Sequence, residues 1–500
     1  MKQARLKKLT GIFMGLIVLV LLAGAIPPSL QTPVQEFITS SGGLFSVPES
    51  LVSSEKPGSS AFEGQESGGG ESSSSFIEKE ESSKEASSSD KKGETGSVKT
   101  ENSSSAGGSS PSKPSESAGG AASKPSSSTP AAPPSSSPSL PAPSVTPSGK
   151  IVVGYYGGWS SYKGYTMDKV PAGNLTHLNY AFAKIDPQTK KIALATPAND
   201  LNNFKAMRRL KQNNPHLKTL ISVGGWDYST YFSDIAATAA NREIFAKSCV
   251  DFIVEHGFDG VDLDWEYPVS GGLAGNTNRP QDKQNFTSLL RAIREKLNAQ
   301  GSRDGRKYYL TIAGAANTSY LGKIQPQSVA ALVDHIFVMT YDMHGPWDKY
   351  SDLLSPLYQP KESSPQYKNS VNDAISAYRS SGVPAGRLVL GMPFYGYLYS
   401  GVDSKNNGLY SSFSSAKSIT FDAVRASYLN NQKFTKLRHS DAKVPYLYGN
   451  KTFITYEDAQ SIADKAKLAK SRGLGGVGAW ELSQDTSGTL LKSARNALYY

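Results

Sequence analysis

The 500-residue sequence holds one cysteine, Cys249, and six scattered histidines. One thiol excludes an internal disulfide framework and any cysteine-based zinc site. No cofactor or metal centre is expected from so sparse a ligand set. A long apolar run occurs once, from Leu9 to Ile26, which excludes a polytopic membrane protein. Between Ser40 and Gly149 large apolar residues are scarce, and serine supplies 37 of 110 positions. Such a stretch buries too little apolar surface to offset its ordering entropy, so it is expected to stay disordered.

The chain therefore reads as three parts. Lys2, Arg5, Lys7 and Lys8 precede the apolar run, and Ala23-Gly24-Ala25 closes it ahead of Pro27-Pro28. Residues 1–26 read as a signal peptide or, left uncleaved, a signal anchor. In both cases the positive flank stays inside and the rest is exported, either secreted or tethered to the outer face of the cytoplasmic membrane. Residues 27–149 form a Ser/Pro/Gly-rich linker, stiffer in its proline-rich second half. Residues 150–500 carry 41 basic and 29 acidic residues, so the net charge of +10 conceals +12 on this part.

After Gly149 short apolar runs alternate with amphipathic helical stretches. Strand candidates are 151–156, 175–185, 218–224, 260–266, 308–313, 335–341, 388–394 and 476–482. Helical candidates lie at 199–212, 241–256, 281–299, 368–381 and 456–472. Eight strands alternating with helices predict an α/β fold, a (β/α)8 TIM barrel with its reactive groups at the strands' carboxyl ends. More than 80 residues separate the last two strands. Their Tyr- and Thr-rich content predicts a small α+β insertion over about 396–455.

DGVDLDWEYP (Asp259–Pro268) carries the chemistry. Side chains alternate along a strand, so Asp262, Asp264 and Glu266 share the barrel's inner face, while Val261, Leu263 and Trp265 face the helices. Crowded buried acids raise at least one pKa, leaving a carboxylic acid protonated near neutrality, which glycosidic cleavage requires. Glu266, nearest the strand end, is placed to donate that proton. Alternating acids can also ligate Ca²⁺ or Mg²⁺, although no nearby histidine or second acid cluster completes such a site.

This stretch resembles the D-x-x-D-x-D-x-E signature of the family 18 chitinases, through Asp259, Asp262, Asp264 and Glu266. SVGGW (Ser222–Trp226), MTYDMHGPW (Met339–Trp347), LGMPFYG (Leu390–Gly396) and GGVGAWELSQD (Gly475–Asp485) resemble the family's strands three, six, seven and eight. GYYGGW and NYAFAKI resemble strands one and two. The resemblance covers essentially all of 150–500, insertion included, and implies hydrolysis of β-1,4 links between N-acetylglucosamine units of chitin or chitooligosaccharides.

It also implies a retaining, substrate-assisted mechanism. Glu266 protonates the glycosidic oxygen, and the sugar's own 2-acetamido carbonyl is the nucleophile. Asp264 orients that acetamido group, and Asp262 shares a proton with Asp264, supported by Tyr155 and Ser222. Tyr341 bonds the acetamido carbonyl, with Met339 and Asp342 shaping the pocket. Trp480 floors the distorted sugar's subsite, Trp226 and Trp347 line the leaving-group side, and Tyr267 edges the cleft. Tyr397 departs from the arginine that many relatives carry after FYG, and His344, in the strand-six loop, is expected to have a structural or solvent role, with lining of the cleft as the alternative.

Hydrolysis of peptidoglycan or of N-glycan cores, and a non-catalytic lectin on the same barrel, stay open as alternatives. No nucleic acid partner is expected, and the enzyme is expected to be a monomer. A neutral polysaccharide does not call for +12. That charge and the linker suggest contact with anionic cell-wall polymers.

Overall fold

The structure is a computed structural model that describes residues 149–361 and 368–500. The segments read as an export signal and linker lie, apart from Gly149, outside the described residues. Eight parallel strands close into a barrel: β1 (Ile151–Gly157), β2 (His177–Ile185), β4 (Lys218–Gly224), β5 (Gly260–Asp264), β6 (Tyr309–Ala315), β7 (His335–Met339), β8 (Leu388–Pro393) and β14 (Gly476–Trp480). β1 pairs with both β14 and β2, which completes the ring. A short strand, β3 (Ile192–Leu194), lies antiparallel on β2.

Helices cover the barrel: α1 (Pro197–Asn213), α2 (Gly225–Tyr228), α3 (Phe232–Ala237), α4 (Ala239–His256), α5 (Asp282–Asp304), α6 (Thr318–Gly322), α7 (Pro326–Leu332), α8 (Val371–Ser380), α9 (Phe421–Ser427), α10 (Ala459–Ser471) and α11 (Thr489–Tyr499). Their ends follow local chemistry. Thr238 accepts from the Asn241 N–H at the start of α4, and Gly257 ends that helix at φ 78°. Asp458 and Ser461 cap the start of α10 reciprocally.

The strands read with period two, as the sequence pattern predicts. On β1, Val152 and Tyr156 pack outward against the helices, while Ile151, Val153 and Tyr155 fill the barrel. On β5, Val261 and Leu263 join the outer core, and Asp262 and Asp264 point inward. Several strands are shorter than their apolar runs suggest, β5 and β7 among them. β5 stops at Asp264 because Trp265 leaves the ladder to stack on Phe232, with ring centroids 5.4 Å apart. β7 stops at Met339, so Tyr341 stands beyond the paired region.

Between β8 and β14 the chain builds a second, antiparallel sheet from β9 (Tyr395–Ser400), β10 (Ser415–Thr420), β11 (Thr435–Arg438), β12 (Pro445–Gly449) and β13 (Thr452–Thr455). Its order is β10-β9-β13-β12-β11, with α9 alongside. β9 follows β8 after one residue, so its first side chains, Tyr395 and Tyr397, reach the barrel mouth.

Candidate active site

The register of the barrel positions the acids. Asp262 lies level with Ser222 on β4 and Thr311 on β6. Both hydroxyls donate to it, Ser222 Oγ at 2.8 Å and Thr311 Oγ1 at 2.5 Å, and Tyr155 Oη donates from β1 at 2.8 Å. Asp262 is fully buried, so loss of water pushes its pKa up while these donors pull it back. Asp264, one step nearer the mouth, is buried with Oδ1 unpartnered among the described residues. Burial first, then the charges of Glu266 and Asp262, hold its carboxyl well above the usual range.

Glu266 stands where the chain has left the strand. Its N–H donates to Ser229 Oγ (2.9 Å), and its carbonyl accepts from Asn276 Nδ2 (2.9 Å). Burial pushes its pKa up to about 7, the Tyr267 hydroxyl opposes this, and Asp342 and Asp227 add to the rise. A carboxyl that keeps its proton near neutrality is a general acid. The chain's path here depends on Gly224 and Gly225, at φ 108° and 74°. A Cβ on Gly224 would sit 2.3 Å from the Asp264 carbonyl oxygen, so SVGGW admits no side chain there.

Above the acids opens a cleft of about 1060 Å³, lined by Asp264, Glu266, Tyr267, Met339, Tyr341, Asp342 and a set of indoles. Trp480 stacks on Phe182 (5.5 Å, 26°) and meets Tyr155 edge-on at 5.4 Å, which holds its ring in the cleft wall. Trp226 and Trp347 are 49% and 62% exposed, large apolar faces that only a bound partner would cover. Trp159 packs beside Trp480 at 6.2 Å. Asp342, at φ 53°, is held by Tyr395 (2.5 Å) and Tyr397 (2.8 Å), both donating to Oδ1. Tyr397 also meets Trp347 edge-on at 5.8 Å.

Of the sequence-predicted residues, Asp264, Glu266, Tyr267, Met339, Tyr341, Asp342, Trp226, Trp347 and Trp480 line this one cleft, and Asp262, Tyr155 and Ser222 lie directly beneath it. Trp265 packs between Phe232 and Phe286 in the outer core. His344 is buried, with Asp348 and Asp352 at 3.1 and 3.5 Å. Sequence reasoning missed Thr311, Ser229, Asn276, Phe182 and Tyr395, whose roles depend on contacts with residues distant in the chain. Among the described residues no group of three or more His, Cys, Asp or Glu is arranged to hold a metal ion.

A parallel barrel whose mouth holds a protonated acid at the floor of an indole-lined groove defines a glycoside hydrolase, since planar apolar faces suit pyranose rings and the acid suits a leaving alkoxide. The class narrows on comparison: residues 151–485 match glycosyl hydrolases family 18, and the chain belongs to that family. It is 44% identical over 398 residues to Chitinase A1 of Niallia circulans, spanning 68% of this chain and 57% of that protein. It is 33% identical over 387 residues to Chitinase B of Serratia marcescens, covering 64% and 75%. Chitinase ChiA74 from Bacillus thuringiensis superposes with a TM-score of 0.66 at 34% identity, over 69% of this chain and 70% of that one.

Proposed function

We propose that this protein hydrolyses β-1,4 links between N-acetylglucosamine units of chitin or chitooligosaccharides, with retention at the anomeric carbon. The observation that carries the reading is the graded acid ladder, with Asp262 saturated by three hydroxyls, Asp264 buried and pushed far up, and Glu266 at about 7 facing the cleft. Membership of family 18 supports the sugar's own acetamido carbonyl as the attacking group, and the buried Asp264 beside Glu266 is placed to orient it.

Each residue then has a role. Glu266 protonates the glycosidic oxygen as the bond breaks and later deprotonates the attacking water. Asp264, supported by its proton-sharing partner Asp262, hydrogen-bonds the acetamido N–H and stabilises the positive charge that forms. Tyr155, Ser222 and Thr311 keep Asp262 in place. Tyr341 donates to the acetamido oxygen, and Met339 and Asp342 shape the same pocket. Trp480 supports the reacting sugar, while Trp226, Trp347 and Tyr267 bind sugars beyond the cleaved bond. The enzyme acts outside the cell, exported by residues 1–26 and carried on the linker 27–149. It acts as a monomer.

Full-length enzyme incubated in parallel with colloidal chitin, peptidoglycan and a high-mannose glycoprotein tests the substrate. Oligosaccharides are expected from chitin alone, and release only from one of the others would overturn the reading. A proton NMR time course should show the β-anomer first. An α-anomer appearing first would exclude two successive displacements.

A further inference from the structure

Charge is segregated between the two ends of the barrel. Among the described residues, the cleft at the strands' carboxyl ends is lined by five acids, Asp227 and Asp342 among them, against one base, Lys323. The amino end is the reverse. A pocket of about 340 Å³ there is lined by Lys211, Lys218, Arg306 and Lys307 with Asp259 and Tyr309. Asp259 is already shared by Lys211 (2.5 Å) and Arg306 (2.7 Å), and neighbouring Asp334 by Lys307 (2.5 Å) and the buried Arg294 (2.7 Å). Each acid is therefore outnumbered by two cations, and Lys218, the first residue of β4, has no carboxylate partner among the described residues.

His177 and His335 lie inside the barrel near this end, and burial, the largest cause, brings them down to about 4 and about 3, with Asp334 opposing and Lys307 adding to the fall in both. The chain also enters β1 at this end, through Gly149 and Lys150, because all eight parallel strands begin there.

We propose that this basic end of the barrel is a docking surface for a flexible, phosphate-bearing polyanion, of the kind a phosphodiester-linked cell-surface polymer presents, with Lys218 as its first contact. The four cations converge on one pocket, which fits single phosphate groups on a pliant chain rather than the evenly spaced rows along a duplex. Docking by this face leaves the cleft at the far end of the barrel, open to substrate. The two faces lie at opposite ends of the barrel, so anchoring and catalysis do not compete.

Long-chain inorganic polyphosphate is the probe, titrated against the full-length protein at low salt. Lys218→Glu is expected to weaken binding by about tenfold or more, the scale of a charge-assisted contact turned repulsive. Lys417→Glu makes the same charge change on the exposed face of β10 and is expected to cost less than about twofold, being screened from the pocket. Lys218→Gln, which adds no charge, should lose about threefold. Both Lys218 variants should retain wild-type turnover of a short chitooligosaccharide, which separates this proposal from the cleft chemistry. Wild-type binding by Lys218→Glu and Lys218→Gln, equal losses at 218 and 417, or equally tight binding of duplex DNA would each overturn it.

Discussion

Replacing Glu266 by Gln preserves the shape of the side chain while removing its proton, and the backbone anchors at Ser229 and Asn276 stay in place. General acid–base catalysis contributes roughly 10²–10⁴-fold. Glu266 acts twice, on the leaving oxygen and on water, so kcat should fall by at least about 10³, or about 4 kcal/mol of barrier. KM for a chitooligosaccharide should move little, because the indole platforms are untouched. Wild-type kcat/KM should itself decline above pH about 7, where the acid loses its proton.

Stability of the wild type falls with rising pH as well. A carboxyl raised from 4.5 to about 7 on folding favours the fold while protonated, and that contribution disappears as pH rises from about 4.5 through about 7. At about 1.4 kcal/mol per pH unit the whole effect approaches about 3.5 kcal/mol, and water entering from the cleft reduces it to about 1–2 kcal/mol. Gln carries no such dependence, so the variant should melt a few degrees above wild type at pH 8 and level with it at pH 4.5. Turnover assays and melting curves at those two pH values decide the matter. Turnover within tenfold of wild type refutes the acid role, and an unchanged melting gap between the two pH values refutes the burial argument.

Tyr155→Phe removes one of the three donors to Asp262 and should lower kcat about tenfold with KM nearly unchanged; a matching rise in KM would show that the tyrosine binds substrate directly. Trp480→Ala strips the ring that Phe182 and Tyr155 hold in place, and KM for oligosaccharides should rise about tenfold or more, while the alkaline limb set by Glu266 stays put in the pH profile. His177 and His335 stay neutral when folded, so below pH about 6.5 the unfolded chain takes up protons that the fold refuses. Urea midpoints should therefore fall between pH 7 and pH 4.5, and His177→Asn with His335→Asn should flatten that fall.

What could be read from the sequence follows the range of the physics involved. The parity that turns Asp262 and Asp264 into the barrel while Val261 and Leu263 face the helices is a property of consecutive residues, so it is legible in DGVDLDWEYP alone. Thr311 was not legible, because nothing in its own neighbourhood says that it stands level with an acid 49 positions earlier; only the β5–β6 register does. Asn276 and Ser229 reach Glu266 from loops whose paths depend on what they pack against, and Phe182 meets Trp480 across nearly 300 residues. The lobe's order, β10-β9-β13-β12-β11, likewise rests on pairings between distant segments. The division is functional as well as methodological. Local pattern supplies the groups that react, whereas long-range register supplies the donors and rings that set their proton affinity and aim. Tyr397 illustrates the consequence: as a departure from the arginine of many relatives it casts doubt on a sugar contact, yet in the fold it donates to Asp342 and braces Trp347, two groups that only the lobe brings within its reach.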